Sequence, residues 1–432
     1  MSRRKRNLWT GGVAISGAAL ALLLAPALMR GYDSGQSKSP GKLVMHEWGT
    51  FTSFAGSDGV NLDFRPLATN DLPRFVLTPF KQSGSSVFDI SKDAFVARQR
   101  METPVAYFYT DAPREVKVRV DFPQGQLTEW YPAVKRFESG LPNAQGGAAG
   151  KAFLDWDKVR LLPADDFAKV RVRGANNQPV PATLPNSPEK YHYGRARETD
   201  SAIVETVDAN RGSHFEKFLF YRGLGNFELP IKLVARGGDR FEITNTDADA
   251  SGALLLVRIE KESVRFTRLD PIDPHATSEV GLPAEGSTIE QLAEAMVREL
   301  VATGLYEKEA LAMVNTWRSS WFGEDGTRLL YLLPAKLTED LLPLTIQPAP
   351  DENVRVLVGR LETITPEDCQ RLIRALVGTG ARSAPSDEQI EAKLQSLGRF
   401  AEPAIQFVIS QTGDPSTRQQ LEAIAGKLRR GK

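Results

Sequence analysis

A histidine and a glutamate stand side by side near the start of the chain, in the stretch MHEWGTFTSFAGSDG that begins at Met45. His46 could serve as a general base or a metal ligand, and Glu47 could serve as its carboxylate partner. The zinc-protease motif requires a second histidine three residues after the glutamate. That position is Thr50, so the sequence excludes an intact motif of this kind.

The residues around His46 have the composition of a β-strand rather than a helix. Neighbouring side chains of a strand point to opposite faces, so His46 and Glu47 would not converge on one atom. The pattern therefore predicts a central strand whose histidine and glutamate are satisfied by neighbouring residues. A catalytic or ligand role for one of them is the alternative, because a histidine beside an acid is costly to bury without purpose.

Three further side chains complete the set of catalytic candidates, namely Glu102, His192 and His214. A hydrolase would need the fold to bring at least two of the five candidates together in a cleft. The chain lacks both the Gly-x-Ser-x-Gly elbow and the Gly-rich Walker loop. The sequence therefore predicts no cofactor and no metal, and it leaves the catalytic residues open.

The overall composition narrows the class of protein. Lys+Arg and Asp+Glu are equal at 54 each in 432 residues, and hydrophobic residues make up 41%. This balance argues against a nucleic-acid partner, which usually requires a net basic face, and the apolar fraction allows a sizeable core. The single cysteine, Cys369, excludes an intrachain disulfide and a thiolate zinc site.

The N-terminus has the features of a membrane or export signal. A basic cluster spans residues 3–6, and no charged residue follows until Arg30. This interval can cross a bilayer core of roughly 30 Å, with the basic end in the cytoplasm and the remainder outside. We interpret residues 1–30 as a signal anchor; a signal peptide cleaved near residues 25–27, which would yield a secreted protein, is the alternative. Residues 31–42, rich in Gly, Ser and Pro, follow as a linker.

Residues 43–283 have the pattern of a β-rich domain. Short segments rich in Val, Ile, Phe, Tyr and Thr are separated by turn residues. In EVKVRVDF, which begins at Glu115, the valines fall on one face and the charged residues on the other. Such segments, with one buried and one solvated face, predict a mainly antiparallel, sandwich-like arrangement. Strands and helices do not alternate here, which argues against a parallel sheet.

Two helix-containing regions follow the β-rich domain. Residues 284–365 are predicted to form a small α+β unit whose first helix is capped by Ser287 and Glu290. Residues 366–432 are predicted to form a helical tail that begins after Thr365 and weakly resembles a HEAT-type repeat. The fold class predicted for the whole chain is therefore α+β.

Several segments together resemble one bacterial family: HEWGTFTS, RMETPVAYFYT, LTEWYP, FYRGLG, and WRSSWFGEDGTRLLYLLP with VRVLVGRLETITP. The family consists of exported or membrane-anchored proteins and is uncharacterised. The resemblance covers most of residues 43–366. It implies an extracytoplasmic location at the cell membrane, and it carries no activity, cofactor or site residue with it.

These observations favour a membrane-anchored, extracytoplasmic protein that binds a ligand or another protein. Its partners would be the membrane, through the N-terminal helix, and a protein or a saccharide, with no nucleic acid. The loop KYHYGRAR, which begins at Lys190, interleaves aromatic and cationic residues and could hold an anion or a sugar face. An exported hydrolase that depends on a metal or on carboxylates is the alternative function.

Overall fold

The computed structural model describes residues 41–65, 71–84, 95–141, 151–174, 176–261, 263–378 and 384–430. The predicted signal anchor and most of the predicted linker lie outside these residues. Gly41–Lys432 form one compact unit. Within the described ranges, no helix combines the length and the apolar character needed to span a membrane.

The described chain has more strand than helix, with the helices concentrated towards its C-terminal end. The strands are β1 Val44–Ala55, β2 Gln99–Tyr109, β3 Arg114–Phe122, β4 Gly125–Tyr131, β5 Arg136–Glu138, β6 Ala152–Leu162, β7 Arg171–Arg173, β8 Pro179–Pro181, β9 Ile203–Asp208, β10 Gly212–Glu216, β11 Leu219–Gly225, β12 Ile231–Gly237, β13 Arg240–Asn245, β14 Leu254–Glu260, β15 Ser263–Leu269, β16 Thr277–Gly281, β17 Gly326–Leu332, β18 Leu344–Gln347 and β19 Glu352–Thr363. The helices are α1 Pro79–Ser83, α2 Ala164–Phe167, α3 Ile289–Ala302, α4 Glu307–Trp321, α5 Ala335–Leu341, α6 Pro366–Leu376, α7 Asp387–Leu397, α8 Ala401–Gln411 and α9 Pro415–Arg430, with 3₁₀ turns at His192–Arg197 and Gly398–Phe400. The prediction of a mixed α+β fold, rich in sheet and helical at the C-terminus, is confirmed.

The principal sheet has eight strands in the order β15-β14-β17-β19-β1-β2-β11-β4. β1 lies at its centre, as predicted, between β2 and β19. The sheet combines strands from both sides of the predicted boundary at residue 284, because β17 and β19 lie between β14 and β1. A second sheet has the order β10-β9-β6-β3-β18, with β5 beside β6, and a third has the order β12-β13-β16.

The central pair of the eight-stranded sheet is parallel, which the sequence argument did not predict. β1 and β19 run in the same direction from Val44 opposite Glu352 to Ala55 opposite Thr363. The argument against a parallel sheet relied on the absence of alternating strands and helices. Two strands so far apart in the chain can pair in parallel without that pattern, since the whole intervening polypeptide serves as the crossover.

The eight-stranded sheet is covered on both faces. One face packs against the six-stranded and three-stranded sheets through a core that includes Phe51, Val118 and Leu233. The other face packs against α3 and α4 through a core that includes Trp48 and Met296. Polar side chains that point from the middle of this sheet must therefore find partners inside the protein.

A third core belongs to the C-terminal helices, where residues of α6, α8 and α9 pack around Phe54 and Ile364. Thr365 caps α6 as predicted, and its hydroxyl accepts the backbone N–H of Asp368 at 3.1 Å. The capping prediction for α3 was wrong by one residue. The cap is Thr288 rather than Ser287, and its partner is Gln291, because these side chains can form the same reciprocal pair of hydrogen bonds.

Candidate functional site

His46 lies on the face of β1 that packs against α4. Its side chain is fully buried, and its Nδ1 atom lies 2.7 Å from Oε2 of Glu309. The imidazole also contacts two tyrosine rings, with centroid distances of 4.5 Å to Tyr306 and 5.7 Å to Tyr109. A buried imidazole requires such a polar partner, because an unsatisfied buried polar group is costly.

Glu309 is the acceptor on which this group of residues converges. Oε2 accepts the backbone N–H of Tyr306 at 2.9 Å, so the carboxylate that caps the start of α4 also holds His46. The Tyr109 hydroxyl donates to Oε1 at 2.5 Å. Burial, together with the charge of Glu309, raises the pKa of Tyr109 far above its ordinary value, so this phenol remains a donor.

The Nε2 atom of His46 is directed towards Glu352, whose Oε1 atom lies 3.9 Å away. Nε2 has no hydrogen-bond partner within the described residues. Glu352 pairs with Lys42 at 2.7 Å, which ties the start of β19 to the residues that precede β1. An imidazole whose Nδ1 is held by a carboxylate resembles a general base, but His46 is 0% exposed and so lies beyond the reach of a substrate.

We call His46, Tyr109, Tyr306, Glu309 and Glu352 the His46 cluster. Sequence analysis identified only its histidine. The helix pattern of α4 could have placed Glu309 in the first turn, but no local signal indicates that this turn lies against β1.

Glu47 points to the opposite face of β1, as the strand pattern predicted. Tyr221 donates its hydroxyl to Oε1 of Glu47, and Arg355 donates its Nε hydrogen to Oε2 at 2.7 Å. Burial raises the pKa of Tyr221 well above its ordinary value, and the charge of Glu47 adds to this effect. Glu47 is therefore satisfied by a tyrosine and an arginine on a face that His46 does not share.

Glu102 lies in a different environment, rich in arginine. It accepts hydrogen bonds from Arg399 and from Thr52 at 3.2 Å, and Arg100 lies 3.1 Å away. Burial alone would raise the pKa of Glu102, but the charges of Arg399, Arg100 and their neighbours outweigh it and lower the pKa to about 2. The carboxylate is thus a fixed anion rather than a proton donor at neutral pH.

The arginines around Glu102 extend across several strands of the eight-stranded sheet. Asp71 accepts hydrogen bonds from Arg100 and Arg222, each at 2.8 Å. Arg360 extends this network, because its Nε–H group donates a hydrogen bond to Glu362 at 2.6 Å. We call Arg100, Arg222, Arg328, Arg360 and Arg399 the arginine cluster. Four carboxylates, those of Asp71, Glu102, Glu324 and Glu362, balance most of its charge.

The two remaining candidates lie apart from both clusters. His192 is exposed, and its Nε2 atom lies 3.0 Å from the Ser319 hydroxyl. His214 accepts the backbone N–H of Ala133 at 3.3 Å through Nδ1 and stacks on Tyr131. Burial lowers the pKa of His214 below its ordinary value, so its ring is neutral at physiological pH.

The fold therefore distributes the five candidates among separate environments. Across the described ranges, no hydrogen bond or ion pair joins any two of their side chains. The part of the chain that the structure describes also contains no group of three or more His, Cys, Asp or Glu side chains placed to hold a metal ion.

The structure instead presents a groove between the body and the helical tail. It has a volume of about 390 Å³ and is lined by residues 61–65, by Val96 and Arg98, and by Glu402, Pro403 and Gln406 of α8. The short segment 61–65 forms one wall because Phe64 pairs with Ala97 in a single antiparallel bridge. We call this feature the tail groove. Sequence analysis missed it, because its walls come from distant parts of the chain.

The walls of the tail groove carry both signs of charge. Arg65 pairs with Glu402 at 2.8 Å, and Arg98 lies between Asp63 at 3.1 Å and Glu228 at 3.0 Å. Burial would raise the pKa of Glu402, but the hydrogen bonds and charges of Arg65 and Arg429 together outweigh this effect and lower the pKa, so the carboxylate is ionised. The groove thus offers paired charges rather than one strong electrostatic field.

An exposed apolar side chain, that of Val96, lines the same groove. Among the described residues, the large apolar side chains exposed to solvent are Val60, Val96, Val180, Val207 and Leu311. Val96 lines the groove and Val60 directly precedes its lining residue Asn61. The aromatic ring in the groove, that of Phe64, is only 2% exposed.

Comparisons with known proteins give no family. No family model matches the chain, and no curated protein matches it. Among solved structures, the Fcho1 Mu homology domain from Danio rerio with bound Eps15 peptide is similar at a TM-score of 0.27 and 6% identity, over 76% of this chain and 97% of that one. The yeast delta-COP-I mu-homology domain is similar at a TM-score of 0.25 and 6% identity, over 75% and 97%. TM-scores this low do not establish a common fold.

Proposed function

We propose that the chain is a membrane-anchored, extracytoplasmic binding protein whose tail groove holds an extended peptide segment of a partner protein. The observation that carries the proposal is the combination, in one groove, of the exposed apolar side chain of Val96 and paired charges in the walls. The anchor and the location rest on the basic cluster and the uncharged interval before Arg30.

An extended peptide suits this chemistry better than a saccharide. A peptide presents apolar side chains, charges of either sign and backbone hydrogen-bonding groups together, which match Val96, Arg98 and Gln406. Carbohydrate sites commonly offer an exposed aromatic face to the sugar ring, and the Phe64 ring is buried. The volume of the groove also falls within the usual range for a site that encloses a small ligand segment.

A binding role also agrees with the environments of the candidate catalytic residues. His46, Glu47 and Glu102 are fully or almost fully buried, and each is held by partners that differ from those of the other two. Catalysis requires groups that converge on one substrate atom. These residues instead connect strands and helices of the body.

The test uses the full-length chain in lipid nanodiscs and a displayed library of unstructured peptides. Selected peptides should bind the Val96→Asp variant at least about tenfold more weakly, because the change removes an apolar contact and adds an uncompensated charge. Leu311→Asp is the matched control, since Leu311 is a comparably exposed apolar residue on α4. It should leave peptide affinity unchanged.

Two results would contradict the proposal. One is an equal loss of affinity in both variants, which would indicate a general effect of added charge. The other is selection of glycans rather than peptides in a parallel array, with binding that depends on Val96; this would assign the groove to a saccharide.

A further inference from the structure

The hairpin of β7 and β8 has two chemically different faces. Arg171 pairs with Pro181, Val172 with Val180, and Arg173 with Pro179. Because directly opposed residues of an antiparallel pair point to the same face, the two arginines and the two prolines share one surface. Both arginines are exposed. Val172 lies on the other surface and packs against a small core of Leu162, Ala182, Ile203 and Phe215.

Neither arginine forms an ion pair with a carboxylate of the residues that the structure describes. Arg171 donates to the backbone carbonyls of Ala168 at 2.8 Å and Val170 at 3.0 Å, and Arg173 donates to the Asn177 side chain at 3.2 Å. The neighbouring cation, Lys169, is by contrast paired with Asp166 at 3.1 Å.

Each guanidinium therefore keeps several donors for an external anion. The two side chains are two residues apart on one strand face, which places them roughly 7 Å from each other at their bases. We call this surface, formed by Arg171, Arg173, Pro179 and Pro181, the basic hairpin face. Guanidinium groups match phosphate oxygens in charge and geometry, and the adjacent prolines provide apolar contact.

The basic hairpin face lies at the end of the body where the described chain begins. Gly41 accepts a hydrogen bond from Arg114 through its carbonyl oxygen, and Arg114 pairs with Leu161 on β6. The next residue, Leu162, packs in the small core that also holds Val172. The first described residue and the hairpin are thus connected through the ends of β3 and β6.

We propose that the basic hairpin face docks on the phosphate headgroups of the anionic membrane that holds the N-terminal anchor. The inference rests on the anchoring proposed above. The twelve residues 31–42 span at most about 40 Å even when fully extended, so they keep the body close to the bilayer. Such a tether gives an effective concentration in the millimolar range, at which a contact made by few cations can be well populated.

Electrostatic attraction to the headgroups acts over only about one Debye length, ~8 Å. The hairpin docks rather than another part of the body because it lies at the end of the body where the described chain begins. Only cations presented directly to the headgroups contribute, and each contributes roughly a fivefold preference for an anionic surface. Docking would fix the orientation of the body and so the direction in which the tail groove faces.

Amide hydrogen exchange of the full-length chain in nanodiscs tests the inference. One set of discs contains phosphatidylcholine alone, and the other contains phosphatidylcholine with phosphatidylglycerol. Exchange in residues 168–182 should be at least about fivefold slower in the anionic discs. The Arg171→Gln/Arg173→Gln variant should lose this difference, and added salt should reduce it. The exposed β9–β10 hairpin serves as the internal reference and should exchange equally in both discs.

The matched control is Arg236→Gln/Arg240→Gln on the β12–β13 hairpin, where Ala235 donates its backbone N–H to Ser57, beyond the opposite end of β1. This variant should keep the lipid-dependent protection.

Equal exchange of residues 168–182 in both discs, with the chain still bound to them, would overturn docking alone. Failure of the chain to float with the discs would overturn anchoring and docking together. Protection by inorganic phosphate in neutral discs, equal to that in anionic discs, would make the face a phosphate site rather than a membrane contact.

Discussion

The two ends of α4 each hold a buried charged side chain, and the two charges have opposite signs. At the N-terminal end, the carboxylate of Glu309 receives His46, Tyr109 and a backbone N–H of the helix. At the C-terminal end, Arg328 donates to the carbonyls of Ser320 at 2.9 Å and Trp321 at 2.6 Å. Each charge has the sign that the helix dipole favours at its end.

The difference between the two ends lies in how the charge is balanced. Glu309 is held by three separate groups, namely the His46 imidazole, the Tyr109 hydroxyl and the Tyr306 backbone N–H. Arg328 belongs to the arginine cluster, in which it lies 2.9 Å from Glu362 and Glu362 in turn pairs with Arg360. Removal of Arg328 leaves two buried carbonyls without their donor and disturbs the charge balance of a buried ionic network, whereas removal of one donor around Glu309 leaves two others. The arginine cluster should therefore be the more sensitive of the two.

The largest effect is expected for Arg328→Met. The substitution keeps an apolar stem but leaves the carbonyls of Ser320 and Trp321 without their donor and Glu362 with Arg360 alone. We expect the free energy of unfolding to fall by about 3–5 kcal/mol, measured by urea denaturation of residues 41–432 at neutral pH. Arg236→Met removes an exposed arginine that pairs with Glu242 at 2.7 Å and should cost less than about 1 kcal/mol. Similar losses in the two variants would remove the distinction between the clusters.

The second effect concerns pH and Glu102. Its pKa of about 2 in the folded protein lies below the ordinary glutamate value of 4.5. A lowered folded-state pKa stabilises the protein above about pH 4.5, and this stabilisation is lost as the pH falls towards 2. Glu102→Gln should therefore be less stable than the natural chain at pH 7, and the gap should narrow by about 1.4 kcal/mol per pH unit below pH 4.5.

Urea denaturation at pH 7, 4.5 and 3 measures this gap. Asp71, whose pKa is lowered by Arg222 and Arg100 against the effect of burial, also contributes to the acid sensitivity of the natural chain. Asp71 shares Arg100 with Glu102, so the measured gap also contains the coupling between these two carboxylates. A gap that stays constant with pH would show that Glu102 is not held as a fixed anion.

Local patterns were sufficient to predict the elements but not their partners. The alternating valines of β3 and the cap at Thr365 are determined by residues close in sequence, and both predictions are confirmed. The hydrogen bond between Glu102 and Arg399 joins residues 297 positions apart. The periodicity of neither segment indicates that contact. The burial of Arg399, in the short turn Gly398–Phe400, could therefore not be predicted from the sequence.

Contacts between residues distant in sequence also explain why the candidate site was predicted only in part. The composition around His46 predicted a central strand, and the alternation rule correctly placed Glu47 on the opposite face from His46. The acid that satisfies His46 lies 263 residues away in a helix. The tail groove was also beyond prediction, since it exists only where α8 lies beside the segment 61–65.

An intermediate effect is expected at the N-terminal end of α4. Glu309→Gln keeps the size of the side chain but replaces a charged acceptor with a neutral amide, whose NH₂ group cannot accept from its neighbours. We expect a loss of about 1.5 kcal/mol in the free energy of unfolding. Glu307→Gln, at an exposed position in the same first turn, is the control and should cost only a few tenths of a kcal/mol. A loss at Glu309 that matches the one expected for Arg328→Met would mean that the donors around Glu309 do not substitute for one another.

The smallest effect, and the most direct test of that redundancy, is expected for Tyr109→Phe. The change removes one donor from Glu309 and leaves His46 and the Tyr306 backbone N–H in place. The loss should be about 1 kcal/mol, the usual net contribution of one buried hydrogen bond. Tyr331→Phe provides the control, because the Tyr331 ring is buried and, across the described residues, its hydroxyl makes no hydrogen bond. If Tyr109→Phe costs several kcal/mol more than this control, the three donors act as one network, and the two ends of α4 differ in charge but not in cooperativity.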